Sequence, residues 1–383
     1  MQINYTEKKI ALIAFVIFII SLIPLLYMAR YLHPSTDDYV FAADTYHTWT
    51  ETHSVLQTLQ TAADVTSQIY HDWQGTYTGC FLMALQPGIF DAYWVTPFII
   101  IGIFIFANFW LMHVIFRQYL KSSYWQYLLI STTVTMLSMQ FVKSPFDAFY
   151  WYNGAMFYTT YYSLALLLAT TIIKSILVKN KAMKVAFGVA SLLLCIFIAG
   201  GNYMIGLFTP TAMATAIILR LCLKKKVPVI LYASFAVFCI SFFFSITAPG
   251  NAIRESYITT KTSPIWSSLT YGCSMLVKHT NLTALALFIF ISPILSKLAR
   301  DSKFSFRKPW LCVAITYGVY CSLFTPTFYA LGIAGYDRNW NIYQYSYYWF
   351  VLINLFYIYG AIWRGYQTRN ELKKIQSGQT LFR

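Results

Sequence analysis

The chain has 383 residues, 58% of them hydrophobic and only 11% charged, with a mean hydropathy of +0.54. Apolar windows this numerous exclude a soluble globular domain, because they must face lipid or one another. The formal net charge of +15 suggests nucleic acid at first sight, but the basic residues sit in short clusters between apolar runs, so no nucleic-acid partner is expected and membrane lipids are.

The basic flank Lys8-Lys9 precedes an apolar run from Ile10 to Met28. That run is too long for a signal-peptide core and no small-residue cleavage site follows it, so it is the first span. Further spans are expected near 94–116, 124–142, 155–173, 185–200, 203–221, 228–247, 280–296, 309–329 and 346–363, giving an all-α polytopic bundle of about ten. The stretch IWSSLTYGCSMLV, 265–277, is short and ends at Lys278-His279, as an interfacial or re-entrant helix would. Residues 1–383 are expected to form one transmembrane module with no separate soluble domain.

Charge sets the orientation. With a cytoplasmic N-terminus, every Lys and Arg except Arg30, Lys143, Arg254, Lys261, Lys278 and Arg338 falls on the inner side, and every acidic residue except Glu7, Asp301 and Glu371 falls outside. This is the positive-inside pattern, with both termini cytoplasmic and residues 31–93 extracytoplasmic. Five of the seven cysteines lie within spans and behave as small apolar residues; Cys80 and Cys273 lie outside, where a disulfide between them is open but unsupported. The sequon Asn281-Leu282-Thr283 abuts a span and is a poor glycan acceptor.

The inner loops are short and basic, which leaves the outer segments for chemistry. The first loop, 31–93, holds His33, Asp37, Asp38, Tyr39, Asp72 and Trp73, and short interfacial helices are expected within it. The segment 143–158, KSPFDAFYWYNGAMFY, brings Asp147, Trp151 and Asn153. AGGNYMIG contributes Asn202, APGNAIRESYITTKTSP contributes Asn251 and Arg254, and ALGIAGYDRNWNIYQYSYYW contributes Arg338 and Asn339. All adjoin span ends, so a bundle gathers them into one candidate pocket. Carboxylates activate hydroxyls or hold a divalent cation, arginines grip phosphate bidentately and aromatic faces stack on sugar rings. The bland alternatives are interface anchoring for the Tyr and Trp, pairing of Arg338 with Asp337, and helix capping for the acidic pair.

TDDYVFA, 36–42, placed directly after a first span, resembles the first-outer-loop acidic motif of the GT-C glycosyltransferases, and YWYNGAMFY, AGGNY, APGNAIR and ALGIAGYDRNWNIY are similar to a bacterial branch of those enzymes. The resemblance implies a GT-C-like fold, a polyprenyl-phosphate-linked sugar donor and a cell-envelope glycan or lipid acceptor. It implies inverting transfer with Asp37 as base and Asp38 at the more variable second position. Arg254 and Arg338 would hold the donor phosphate, and Mg or Mn on Asp37 and Asp38 is an open option. One departure is Thr76, where relatives often carry an arginine. Repulsion between the paired carboxylates is expected to make one a better proton acceptor. Competing readings are a polymerase or ligase of lipid-linked saccharides, and a flippase or transporter, which would want charges at the bilayer midplane.

Overall fold

The computed structural model describes residues 2–257 and 263–376, with side chains from residue 6 to residue 370 of these; Lys261 lies outside the described residues. Among the described residues there are helices and no strand. In chain order they are α1 (Gln2–Tyr27), α2 (Asp37–Thr52), α3 (Val55–Asp72), α4 (Tyr77–Ala84), α5 (Thr96–Met112), α6 (Tyr124–Gln140), α7 (Tyr152–Ala155) and α8 (Tyr161–Leu177). There follow α9 (Lys181–Ala199), α10 (Tyr203–Cys222), α11 (Val229–Ile246), α12 (Pro249–Ser256), α13 (Pro264–His279), α14 (Leu282–Asp301), α15 (Pro309–Cys321), α16 (Thr325–Leu331) and α17 (Asp337–Gln376).

Eight stretches are long and apolar enough to cross a membrane: Thr6–Tyr31, Tyr93–Tyr119, Tyr152–Leu177, Lys181–Ala199, Tyr203–Cys222, Val229–Ile246, Leu282–Asp301 and Pro309–Leu331. The chain is therefore a helical membrane protein. In α1, Ala11, Phe18 and Leu22 pack inward, whereas Ile13, Ile17 and Ile20 on the other face are exposed apolar surface suited to lipid.

The other two expected spans fall on α6 and α17, which are more polar for an identifiable reason. α6 has 17 residues and buries Ser131, Thr132, Thr133, Thr135 and Ser138 inside the bundle. The first half of α17 buries Asn341, Gln344 and Ser346 beside a row of tyrosines. Helices enclosed by protein can carry polar side chains that a lipid-facing helix cannot.

Side-chain contacts divide the molecule into two ends. At one, Glu7 at the start of α1 pairs with Lys297 of α14 at 3.6 Å and accepts from Gln126 Nε2 of α6 at 3.2 Å. At the other, the first loop folds into α2, α3 and α4, stitched by a 2.9 Å hydroxyl contact between Thr48 and Thr61 and by Thr45 Oγ1 donating to Ala84 O at 2.6 Å. The expected helices in that loop are thus present, and α13 is a helix as well.

All seven cysteines are free. Cys80 is buried beside Gln74 and Thr76, while Cys273 Sγ sits 2.9 Å from the Tyr317 hydroxyl. The Cys80–Cys273 disulfide left open by the sequence is therefore absent. Asn281 caps α14 by accepting from Ala284 N at 2.9 Å, which spends the sequon's side chain on structure.

The α3–α4 turn is held by close backbone approach. A Cβ at Gly250 would lie 2.4 Å from Trp73 N, and one at Gly75 would lie 1.9 Å from Ser245 O. Gly250→Ala should destabilise the protein by about 1–3 kcal/mol through overpacking against backbone that cannot yield. Thermal unfolding in detergent, with Gly318→Ala as control because nothing lies within 4 Å of its added methyl, should show the first variant melting early and the second melting with wild type.

Candidate functional site

The acidic pair at the start of α2 separates into two different groups. Asp38 is fully buried. Its Oδ2 accepts from Ser35 N at 3.0 Å and from the Tyr93 hydroxyl at 2.5 Å, and its Oδ1 accepts from Asn153 N at 3.1 Å. Burial pushes its pKa up; the donors pull the other way, and the charge on Asp37 is the smallest contributor. Desolvation, rather than the expected repulsion within the pair, dominates. Asp37 is exposed. The two differ because neighbouring positions on a helix point about 100° apart.

Asp37 belongs instead to a cluster around Arg338, in the first turn of α17. The guanidinium of Arg338 stands 5.5 Å from the centroid of Trp151, 5.8 Å from that of Tyr158 and 5.1 Å from that of Tyr336. Burial disfavours its charge, but the Tyr158 hydroxyl and the carboxylates of Asp147 and Asp37 outweigh that and raise its pKa. The expected alternative, a pair with Asp337, is not formed: among the described residues the ion pairs are Lys297–Glu7 and Arg300–Asp301.

The chain around Trp151 is irregular. The Trp151 amide reaches back five residues to Phe146 O, at 2.9 Å, and widened turns span Phe146–Tyr150 and Met156–Thr160. Such widened turns recur at functional sites because they re-aim side chains. Here they turn the Trp151 indole to donate to Ser35 O at 3.2 Å and bring Asn153 N to Asp38. The same segment is tied to α17 by Ser144 and Asn341, which exchange hydrogen bonds of 3.1 and 2.9 Å.

Lys143 and Lys278, which sequence reading did not place in the pocket, gather on another ring of α17. Their ammonium groups lie 5.8 and 4.8 Å from the Trp340 ring centroid, two residues beyond Arg338. The available signal was their membership of the small set of basic residues that the charge pattern assigns to the outer side.

Arg254 has a different set of partners, at the α3–α4 turn. It donates to Gln74 Oε1 at 2.6 Å and stands 5.4 Å from the Trp73 ring centroid. Asn251 binds α12 to this turn, accepting from Gly75 N at 3.1 Å and the Tyr203 hydroxyl at 2.8 Å and donating to Ser245 O at 2.8 Å. Asn202 caps α10 through Met204 N at 2.8 Å, and Asn339 accepts from Tyr336 N at 2.9 Å while its Nδ2 lies 2.9 Å from Met204 Sδ. These three asparagines hold the frame. Asn153 differs, because its buried side-chain amide has no protein partner.

Asp72 is exposed at the end of α3, and Thr76 is buried with its hydroxyl 3.5 Å from Cys80 Sγ. His33 and Tyr39 line a different cavity on the other side of α2, described below. Both Asp38 oxygens are already occupied, so joint chelation of a cation with Asp37 would break the frame. Among the described residues no three His, Cys, Asp or Glu side chains assemble as a metal site. No family model, curated protein or solved structure matches the chain.

The geometry separates the two aspartates by stability. Asp38→Asn presents an N–H where Asn153 N or the Ser35–Tyr93 donors need an acceptor, leaving a buried donor unsatisfied at a cost of about 1–3 kcal/mol. A lowered melting temperature is expected for Asp38→Asn, and an unchanged one for Asp37→Asn.

Proposed function

We propose that the chain is a membrane glycosyltransferase of the GT-C type, moving a sugar from a polyprenyl-phosphate donor to an envelope glycan or lipid acceptor. The observation that carries this reading is shared by the described outer cations. Arg30, Lys143, Arg254, Lys278 and Arg338 each rest on an aromatic face, and none has a carboxylate at ion-pair distance. Aromatic faces orient a cation without neutralising it, so the positive charge remains available to an anionic ligand such as a phosphate.

In this mechanism the acceptor hydroxyl oxygen attacks the anomeric carbon as the bond from that carbon to the lipid phosphate oxygen breaks. Asp37 takes the hydroxyl proton, and the phosphate leaves with the bonding pair. Arg338 stabilises the charge on the departing phosphate, the kind of contribution that is usually the largest in such a site. Tyr158, partly exposed, offers a ring face to the sugar, as saccharide-binding sites commonly do. Asp38 acts through position: it fixes the start of α2 and hence the direction of Asp37.

The topology that belongs to this reading is ten spans with α6 and α17 included, both termini cytoplasmic and residues 31–93 outside. Leu56, exposed in α3, and Lys225, between α10 and α11, are suited to test it. In a background without native cysteines, Leu56→Cys should react with an impermeant reagent on intact cells and Lys225→Cys should not. The reverse pattern would invert the orientation.

The catalytic test is sugar transfer by purified protein from a polyprenyl-phosphate donor, with and without chelator. Asp37→Asn should lower turnover about 10²–10⁴-fold, as loss of a general base typically does, while the protein melts with wild type. Arg338→Lys retains charge but loses the planar fork, so it should fall between wild type and Arg338→Ala. Near-wild-type turnover in Asp37→Asn would sink the mechanism.

A further inference from the structure

A second cavity, of about 700 Å³, lies between the end of α1, the outer face of α2 and the segment leading into α5. Arg30, Tyr39, Tyr46, Gln86, Asp91 and Trp94 are among its lining residues. An adjoining notch of about 230 Å³ is lined by Leu26, Tyr27, Ala29, Arg30, Trp94 and Phe98. The two share Arg30 and Trp94, so the chamber passes directly into a groove between the ends of two membrane-crossing helices. A chamber that carries charged groups and opens between the ends of such helices suits a membrane lipid, with its head in the loop and its chain along the helices.

The charges in the chamber identify the head. Arg30 is held by Tyr27, 4.3 Å from the ring centroid and 3.4 Å from the hydroxyl, and makes no ion pair. Asp91 is exposed on the opposite wall, whereas the carboxylate of Asp38 is fully spent on its own donors. Gln86 is 2% exposed; its Nε2 donates to Asp38 O at 2.5 Å, while its Oε1 has no partner. The chamber thus offers one cation, one free carboxylate, one orphaned acceptor and the exposed ring faces of Tyr39, Tyr46 and Trp94.

We propose that this chamber and groove form a binding site for a zwitterionic phospholipid with a primary ammonium headgroup, of the phosphatidylethanolamine class. Arg30 receives the phosphate. The ammonium donates to Asp91 and Gln86 Oε1 among the aromatic faces, and one acyl chain follows Leu26 and Phe98. A choline head has no N–H for Gln86, and a glycerol head has no cation for Asp91. The site does not depend on the glycosyltransferase reading: Arg30 enters that reading only as one of several ring-held cations, and no step of the transfer uses Arg30 or Asp91.

Native mass spectrometry of the full chain tests this with phosphatidylethanolamine, phosphatidylcholine and phosphatidylglycerol of matched acyl chains. Wild type should retain the ethanolamine lipid about tenfold better than the other two, the discrimination expected from one charge-assisted hydrogen bond. Arg30→Ala and Asp91→Asn should each remove that preference, and Ile240→Ala, exposed on α11, should keep it. Glycerophosphoethanolamine, the same head without chains, should fail to displace the lipid at equal concentration. Equal retention of the three lipids by wild type would overturn the proposal, and this comparison needs no variant to fold. Wild-type preference in both substituted proteins would overturn it equally, as would displacement by the soluble head, which would mark a phosphate-ester site rather than a lipid site.

Discussion

The end of the molecule that carries α2 depends on one buried carboxylate. Asp38 gathers the start of α2, the Tyr93 hydroxyl before α5 and the backbone of Asn153 around its two oxygens. A carboxylate removed from water is costly unless its lone pairs are filled, and here three donors fill them. Each donor comes from a different part of the chain, so the group that must be satisfied also fixes where those parts meet. With Asp38 turned inward, the helix leaves Asp37 facing Arg338 and Tyr39 facing the second cavity.

The second recurring device is a cation laid on an aromatic ring. At the end of the molecule away from α2, the half-exposed Lys297 pairs with Glu7. Lys143, Arg254, Lys278 and Arg338 have no such carboxylate: rings hold them in place while their charge stays unspent. Tyr and Trp at span ends are ordinary interface anchors, but here many of them also position a guanidinium or ammonium.

Much of the scaffold was legible because apolar runs and charge segregation are local in sequence. The eight long apolar stretches and the helical first loop follow from them. α6 and α17 are harder, since their Ser, Thr and Asn are tolerable only once neighbours enclose them. That Asp38 turns inward while Asp37 stays exposed was out of reach, because it is decided by Tyr93 and Asn153, 55 and 115 residues away from Asp38. The asparagines mark a different failure. Asn202 precedes an apolar run, which is the signature of a helix cap, and its structural use was readable without any knowledge of the fold.

Arg338 links the frame to the proposed chemistry. It sits in the first turn of α17, where the helix dipole adds positive potential to its own charge, and Tyr158, Asp147 and Asp37 favour its charged form. On the proposed reading a phosphate arriving there takes the guanidinium, while Asp37, which makes no ion pair with it, keeps its oxygens for the acceptor hydroxyl. Asp38 makes that arrangement local. Because its hydrogen bonds hold the start of α2 and the backbone of Asn153, Asp37 can reach the hydroxyl by rotating its side chain, with no helix required to move.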